Sequence, residues 1–240
     1  MKAVNPGKIH AQRNDTFVRE ATCAFRDFIL NEQFPCLGAK AAFHSDSLIL
    51  NCYPEIASEA ATSMLSAALL GFTKSERAAA SEYATFIAIF EGPRETDECE
   101  FEELLWQQLR AVHREDRRDF DWDPRVRSDP SDPHFSFSFG GQALYVIGMH
   151  ANSSRDARRF PWPALIFNPH EQFERLRADG KWKRMQETIR KRDETLQGSI
   201  NPMLTDFGVR SEARQYSGRQ VDETWRAPFE AEKPKCPFAH

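Results

Sequence analysis

Residues 135–149 read FSFSFGGQALYVIGM, and this segment carries the clearest structural signal in the chain. Its phenylalanines alternate with serines, which is the period-two pattern of a half-buried strand. Gly140 and Gly141 follow, and paired glycines allow the backbone angles of a tight hairpin turn. The apolar run Ala143–Ile147 comes next and predicts a second strand in the interior of a sheet. The stretch therefore predicts a β-hairpin.

The loop after the hairpin concentrates polar chemistry. His150 ends the second strand, and the loop then carries Ser154, Arg155, Arg158 and Arg159. Guanidinium groups bind carboxylates and phosphates through paired N–H donors, so a histidine beside these arginines indicates a ligand site. A structural interpretation stays open, in which His150 is hydrogen-bonded in the core and the arginines pair with acidic residues.

A further strand and helix follow this loop. Ala164–Phe167 is a short apolar run, and Asn168 with Pro169 is expected to cap a helix that starts near His170. The positive end of a helix dipole favours neutral imidazole, which is the form that binds metals. His170 is therefore a second candidate ligand, although a hydrogen bond to a neighbouring loop would explain it equally well.

Periodicity along the rest of the chain predicts an α+β fold with a mostly antiparallel central sheet and helices packed around it. Pro54 is expected to open the second helix. The predicted strands lie near 47–52, 84–90, 135–139, 143–149 and 164–167, and the predicted helices near 15–32, 55–70, 98–117, 170–178 and 181–196. Residues 1–14 are expected to form a flexible arm, and residues 15–240 a single domain.

Composition excludes several classes of protein. The net charge of −4 argues against a nucleic-acid partner. The five cysteines are odd in number and form no CxxC pair, which fits a reducing cytoplasm. No apolar run is long enough to span a membrane. We therefore expect a cytoplasmic protein without a membrane partner. The HExxH, GxGxxG, GxxxxGK[ST] and GxSxG motifs are all missing from the sequence.

Two further regions carry candidate site residues. Cys36 stands two residues before Gly38, a spacing shared with thiolate-haem enzymes, although a buried cysteine more often behaves as a small hydrophobe. The late segment 199–229 has little periodicity and many polar groups, a composition typical of pocket walls. Its candidates are Asp206, Glu212, Arg214, Tyr216, Ser217 and Arg219. The alternative is that these groups pair with one another to hold an irregular tail.

Several segments together resemble one protein family. They are PCLGAKAAF (35–43), FEELLWQQL (101–109), FSFSFGGQALYVIGMHANSSRDARRF (135–160), FNPHEQFERLR (167–177), LQGSINPMLTDFG (196–208), SEARQYSGR (211–219) and CPF (236–238). This set resembles the YqcI/YcgG family over about residues 15–238. The family includes haem-dependent N-hydroxylases of guanitoxin and cycloserine biosynthesis.

The resemblance implies a bound haem b, dioxygen, and an electron donor such as a ferredoxin or flavin reductase. Oxygen would be inserted at a nitrogen of a guanidine or amine in a small amino-acid-like substrate. His150 is the preferred iron ligand, with His170 second and Cys36 third. Ser154, Arg155, Arg158 and Arg159 are expected at the haem propionates. The oligomeric state stays open, with a homodimer as one option.

Substrate roles follow from the same resemblance and from residue type. Asp206 or Glu212 is expected to hold the substrate cation, and Arg214 or Arg219 its carboxylate. Tyr216 and Ser217 are expected to donate hydrogen bonds to the reacting oxygen. The competing hypothesis is a haem carrier or sensor without turnover, which needs no polar substrate pocket.

Overall fold

Five strands form one sheet in the described part of the chain, which comprises the backbone of residues 6–76 and 81–232 and the side chains from residue 15. This description comes from a computed structural model. The strands are β1 (Leu48–Tyr53), β2 (Thr85–Phe90), β3 (Phe137–Phe139), β4 (Gln142–Met149) and β5 (Ala164–Pro169). They lie in the order β1-β2-β5-β4-β3, and only the β1–β2 pair is parallel. The predicted, mostly antiparallel sheet is confirmed.

The hairpin forms where the sequence predicts it. β3 pairs antiparallel with β4, with Phe137 opposite Leu144. Gly140 and Gly141 make the turn with φ angles of 61° and 72°, a region that favours glycine. A Cβ atom at Gly140 would also lie 2.6 Å from the Thr73 hydroxyl oxygen. Both backbone freedom and close packing therefore require the glycine there.

Helices cover both faces of the sheet. They are α1 (Pro6–Leu30), α2 (Leu37–His44), α3 (Glu59–Thr73), α4 (Glu98–Asp116), α5 (His170–Ala178), α6 (Lys181–Gln197) and α7 (Ala213–Tyr216), with a 3₁₀ turn at Asp156–Arg158. The α+β fold class is confirmed. Because α1 starts at Pro6, its backbone begins within the stretch predicted as a flexible arm. The side chains of that stretch lie outside the described residues, as does the CPF motif at 236–238.

Alternation along the buried strands builds two cores. On β2, Phe86 and Phe90 point to one face and Ile87 and Ile89 to the other, and all four are buried. The first face packs against the apolar sides of α3 and α4. The second packs against α1, whose Phe17, Ala21, Phe25 and Ile29 recur at helical spacing. The sheet is therefore a middle layer, and the second face continues into the cavity described below.

Two local predictions need correction, and two short helices were missed. Pro54 does not open the second helix, because Ser58 caps it by accepting the Ala61 N–H at 3.2 Å. Of the predicted capping pair, Pro169 is the N-cap residue of α5 without a side-chain hydrogen bond, whereas the Asn168 side chain accepts the Thr85 hydroxyl at 3.0 Å instead of capping the helix. The short helices α2 and α7 were not predicted. Within the described residues, no helix combines the length and apolar character needed to cross a membrane.

Candidate functional site

A cavity of about 290 Å³ lies between the second face of the sheet and helices α5 and α6. Its volume is near the lower end of the roughly 300–1,000 Å³ typical of small-molecule sites. The wall is mainly apolar, and its members include Phe25, Ile29, Ile87, Ile147, Ile166 and Leu176. The polar groups that reach it include Cys36, Tyr145, Arg155, Arg158, His170 and Glu212. An apolar cavity with few converging polar groups is the usual form of a ligand site.

The alternation of β4 explains which strand residues reach the cavity. Tyr145, Ile147 and Met149 line it, whereas Gly148 faces α4 on the other side of the sheet. Close packing there leaves no space for a side chain, because a Cβ at Gly148 would lie 2.7 Å from Phe101 Cε1. The close approach of α4 therefore fixes β4, and with it the three cavity-lining side chains.

The structure separates the arginines of the loop after β4. Arg155 is buried and donates to Asp193 at 2.5 Å on α6 and to the Ser199 carbonyl at 2.8 Å. Arg158 is also buried and lines the cavity. Arg159 is half exposed and binds the Ser153 carbonyl and the Asp156 carboxylate instead. Two of the three predicted arginines therefore reach the cavity.

His150 does not line the cavity. Its ring is buried and stacks on Phe101 of α4 with the centroids 4.4 Å apart. Burial lowers the pKa of His150, and the nearby Glu98 opposes the shift. The neighbouring Ser154 is turned outward, with its N–H and hydroxyl both donating to Glu98, at 3.0 and 2.7 Å. Neither His150 nor Ser154 is among the cavity-lining residues, although the His150 N–H donates to the Arg158 carbonyl at 3.2 Å.

His170 does line the cavity, from the first turn of α5. Its ring is buried and meets Phe207 edge-on with the centroids 4.4 Å apart. Burial lowers the pKa of His170, while Glu174, 4.0 Å from Nδ1, acts in the opposite direction. The imidazole is therefore held neutral near pH 7, which is the form that binds metals.

Cys36 reaches the same cavity from the start of α2. It is the N-cap of that helix, and its sulfur accepts the Ala39 N–H at 3.4 Å. A Cβ at Gly38 would lie 3.8 Å from the sulfur, which is ordinary contact. Burial raises the pKa of the Cys36 thiol, so burial favours its neutral form.

Glu212 places a buried carboxyl group on the polar side of the cavity. It accepts a hydrogen bond of 2.6 Å from the Tyr216 hydroxyl. Burial raises the pKa of Glu212 from 4.5 to about 8, against the effect of that hydrogen bond. At pH 7 the group is therefore mostly a neutral acid. A bound cation would favour its ionised form.

The other candidates of the late segment divide between the cavity and separate contacts. Asp206 lines the cavity at an exposed edge, where it accepts from Gln186 at 2.5 Å. Arg214 donates to the Val221 and Asp222 carbonyls instead. Ser217 and Arg219 both bind Glu102 of α4, away from the cavity.

Tyr216 is fully buried under the sheet and does not line the cavity. Its hydroxyl donates to Glu212 and accepts the Phe137 N–H at 3.0 Å. The structure thus brings together Cys36, Arg155, Arg158, His170, Asp206 and Glu212, and it leaves His150, Ser154, Arg159, Arg214, Tyr216, Ser217 and Arg219 outside the cavity wall.

Several cavity residues were missed by sequence reasoning. Tyr145 sits in an apolar strand and was assigned to the core, yet its hydroxyl donates to Gln215 at 3.0 Å on the cavity wall. Asp193 was not singled out in the sequence, yet it is buried against Arg155. The phenol of Tyr145, in an otherwise apolar strand, is a signal that could have indicated its place on the cavity wall. No local pattern reveals the burial of Asp193, because its partner Arg155 is 38 residues away.

Comparison with known proteins places this chain in a family. The model of the YqcI/YcgG family matches residues 25–230. The chain is also 30% identical over 215 residues to the uncharacterized protein YqcI of Bacillus subtilis (strain 168), which covers 86% of this chain and 80% of that protein. No solved structure matches it. The chain therefore belongs to the YqcI/YcgG family.

Proposed function

We propose that this protein binds one haem b in the cavity and hydroxylates a nitrogen of a small guanidino or amino compound. The observation that supports the proposal is the set of donors meeting in one apolar cavity. A haem needs apolar walls for its ring, an imidazole or thiolate for its iron, and cations for its two carboxylates. His170 and Cys36 can supply the imidazole or thiolate for the iron, and Arg155 and Arg158 can supply the positive charge for the carboxylates. The residues present therefore fit the group.

His170 is the iron ligand in this proposal. It lines the cavity, and its imidazole is neutral without losing a proton. Cys36 would have to ionise first, and burial opposes that ionisation until a metal binds. His150, favoured from the sequence, is separated from the cavity and packed on Phe101. Cys36 therefore stands second, and His150 is not retained.

Bound haem supplies the activation of dioxygen. One oxygen atom enters an N–H bond of the substrate to give N–OH, and the other becomes water with two electrons and two protons from an external donor such as a ferredoxin or flavin reductase. The protein's own residues position the substrate and exclude water. The cavity wall carries four carboxyl groups among the described residues, and Glu82 and Asp193 already pair with Lys181 and Arg155. Glu212 and Asp206 would therefore bind a guanidinium or ammonium group.

Binding of a cation beside Glu212 is coupled to loss of its proton. Burial raises the pKa of this carboxyl and keeps it neutral, and an adjacent positive charge favours the carboxylate. The Tyr216 hydroxyl then stabilises that charge through its 2.6 Å hydrogen bond. Tyr216 thus positions Glu212 and has no direct contact with the cavity.

A haem carrier or sensor is the second candidate function. One observation favours it: Arg214, Tyr216, Ser217 and Arg219, the groups expected to bind a substrate carboxylate and the reacting oxygen, are all engaged elsewhere. A carrier needs a haem cavity and no second set of polar groups. The two functions therefore differ in whether an amine or guanidine perturbs the bound haem.

An absorption spectrum of the full chain, expressed with added haem precursor, tests the haem site. We expect a Soret band that is lost or shifted in His170→Ala and unchanged in His150→Ala, the matched histidine control. A ferrous–CO spectrum with the long-wavelength Soret band of thiolate ligation, abolished in Cys36→Ser, would transfer the ligand role to Cys36. Absence of any Soret band would refute the haem proposal.

Turnover is tested separately. The reduced protein is incubated under oxygen with arginine, related guanidines and amino acids, and products are examined by mass spectrometry. We expect one product heavier by a single oxygen atom, formed more slowly by Glu212→Gln. A haem protein that neither forms such a product nor changes its spectrum with any of these compounds would be the carrier.

A further inference from the structure

Arg158 is a buried cation without a matching anion. Its guanidinium lines the cavity, and only 7% of the residue's surface is exposed. No carboxylate of the described residues forms an ion pair with it; its guanidinium donates to the carbonyl oxygens of Tyr216 at 2.9 Å and Gly148 at 3.4 Å and also hydrogen-bonds the Tyr145 side chain. We propose that Arg158 is the anion-binding residue of the cavity and holds a carboxylate group of the ligand. This inference rests on the proposed function of the cavity as a ligand site.

The charge pairing of the other arginines singles out Arg158. Each further arginine on the cavity wall already has an acidic neighbour: Arg155 has Asp193, Arg177 has Glu174, and Arg190 has Asp206. Asp193 also attracts Arg158 from a distance, but the direct contact of that carboxylate is with Arg155. Among the arginines on the cavity wall, Arg158 is therefore the one whose positive charge has no adjacent carboxylate in the described part of the chain.

The fold keeps Arg158 fixed in this position. Gly218 has a φ angle of 88°, and a Cβ there would lie 2.7 Å from Arg158 Cδ. The absence of a side chain at Gly218 therefore provides the space that the Arg158 side chain occupies. The buried carbonyl of Tyr216 accepts a hydrogen bond of 2.9 Å from Nη1. The Tyr145 hydroxyl lies beside the guanidinium on the cavity wall. An arginine fixed in this way is prearranged for an anion.

The chemistry of the site favours a carboxylate. Burying a guanidinium without a counter-ion is unfavourable, and burial accordingly lowers the pKa of Arg158. A planar carboxylate restores the charge balance and accepts two parallel N–H groups. It has two sources in a haem oxygenase, the carboxylate arms of the haem and the carboxylate of a free acid. The experiment separates these sources.

The first measurement uses the unaltered full chain. Affinity for haem b is compared with affinity for haem dimethyl ester, in which the carboxylates are neutral. Thermal protection by propionate is compared with protection by propionamide, its neutral counterpart. We expect a preference of about tenfold or more for the carboxylate in at least one comparison. A preference in the haem pair assigns the carboxylate to the cofactor, and one in the small-molecule pair assigns it to a free acid.

The variant Arg158→Met tests whether this preference depends on Arg158. The matched control is Arg210→Met, at an exposed arginine that pairs with Glu223 away from the cavity. The carboxylate preference should disappear in Arg158→Met and persist in Arg210→Met. If Arg158→Met does not fold, Arg158→Lys is measured instead. Lysine keeps the charge without the paired N–H geometry, so this variant should retain part of the preference.

The results also distinguish this inference from the proposed function. Haem binding with equal affinity for the acid and the ester, together with equal protection by propionate and propionamide, would overturn the role of Arg158 and leave the haem proposal standing. Protection by propionate that requires Arg158, without haem binding of any kind, would support the anion site and overturn the haem proposal. A carboxylate preference that is unchanged in Arg158→Met would also overturn the role of Arg158.

Discussion

Replacing Glu212 with glutamine should change how the protein's stability depends on pH. Burial raises the folded-state pKa of Glu212 from 4.5 to about 8, so the folded chain holds this proton more tightly than the unfolded chain. The resulting stabilisation is complete below about pH 4.5 and is lost as the pH rises through about 8. Glutamine is neutral at every pH and can still accept the Tyr216 hydroxyl.

The size of the effect follows from the pKa values. Each step of one in pKa corresponds to about 1.4 kcal/mol, so the rise to about 8 corresponds to at most about 5 kcal/mol. Relative to the parent, Glu212→Gln should therefore become more stable as the pH rises from about 5 to about 8, by up to that amount. Any offset from the amide's own hydrogen bonds is independent of pH, so the slope provides the test.

Urea unfolding of the full chain at intervals from about pH 5 to about pH 9 measures this slope. The matched variant is Asp116→Asn. The Asp116 carboxyl accepts the Gly140 N–H, and burial raises its pKa to about 6. Its stability relative to the parent should rise over a lower range that ends near pH 6. A stability difference for Glu212→Gln that does not change with pH, or that falls as pH rises, would refute the reasoning.

Three further substitutions test the packing around the cavity. Gly148→Ala should destabilise the fold by about 1–3 kcal/mol in urea unfolding, because its Cβ would overlap two side chains and a carbonyl. Gly71→Ala, which has no atom within 4 Å of its Cβ, should not destabilise it. Asp193→Asn should cost about 3–5 kcal/mol by leaving Arg155 buried without its charge partner, and the loss should be smaller in the double variant with Arg155→Met. Tyr216→Phe should cost about 2–4 kcal/mol, because the Glu212 carboxyl and the Phe137 N–H lose their partner. An unchanged unfolding midpoint in Gly148→Ala, Asp193→Asn or Tyr216→Phe would contradict the packing described.

The fold was predictable because its strongest signals are local. The alternation of residues 135–139, the paired glycines and the helical stripe of α1 each follow from spacing along the chain. Helix boundaries were less accurate, since the Ser58 cap overrides the signal at Pro54. Helices α2 and α7 are short and lack a repeating pattern, so sequence spacing does not indicate them.

The candidate site was only partly predictable, because it depends on which side of a strand faces the cavity. His150 directly follows cavity-lining Met149, and alternation turns it to the opposite side of the sheet. The arginines that follow His150 favoured it over His170, and residue type does not show which side of a strand faces the cavity. Likewise, nothing in the local sequence shows that Arg219 binds Glu102, 117 residues earlier in the chain.

We propose that the cavity between the sheet and α6 binds haem. The most direct test of this proposal is an absorbance titration of the full chain with haem b, run beside Ile147→Trp and Val209→Trp. Ile147 lines the cavity on β4, so tryptophan there fills it, whereas Val209 is 65% exposed and serves as the surface control. We expect one equivalent of haem to bind the parent and Val209→Trp with a sharp Soret band, and binding to be lost in folded Ile147→Trp. No Soret band in the parent, or equal binding by all three proteins, would contradict the claim.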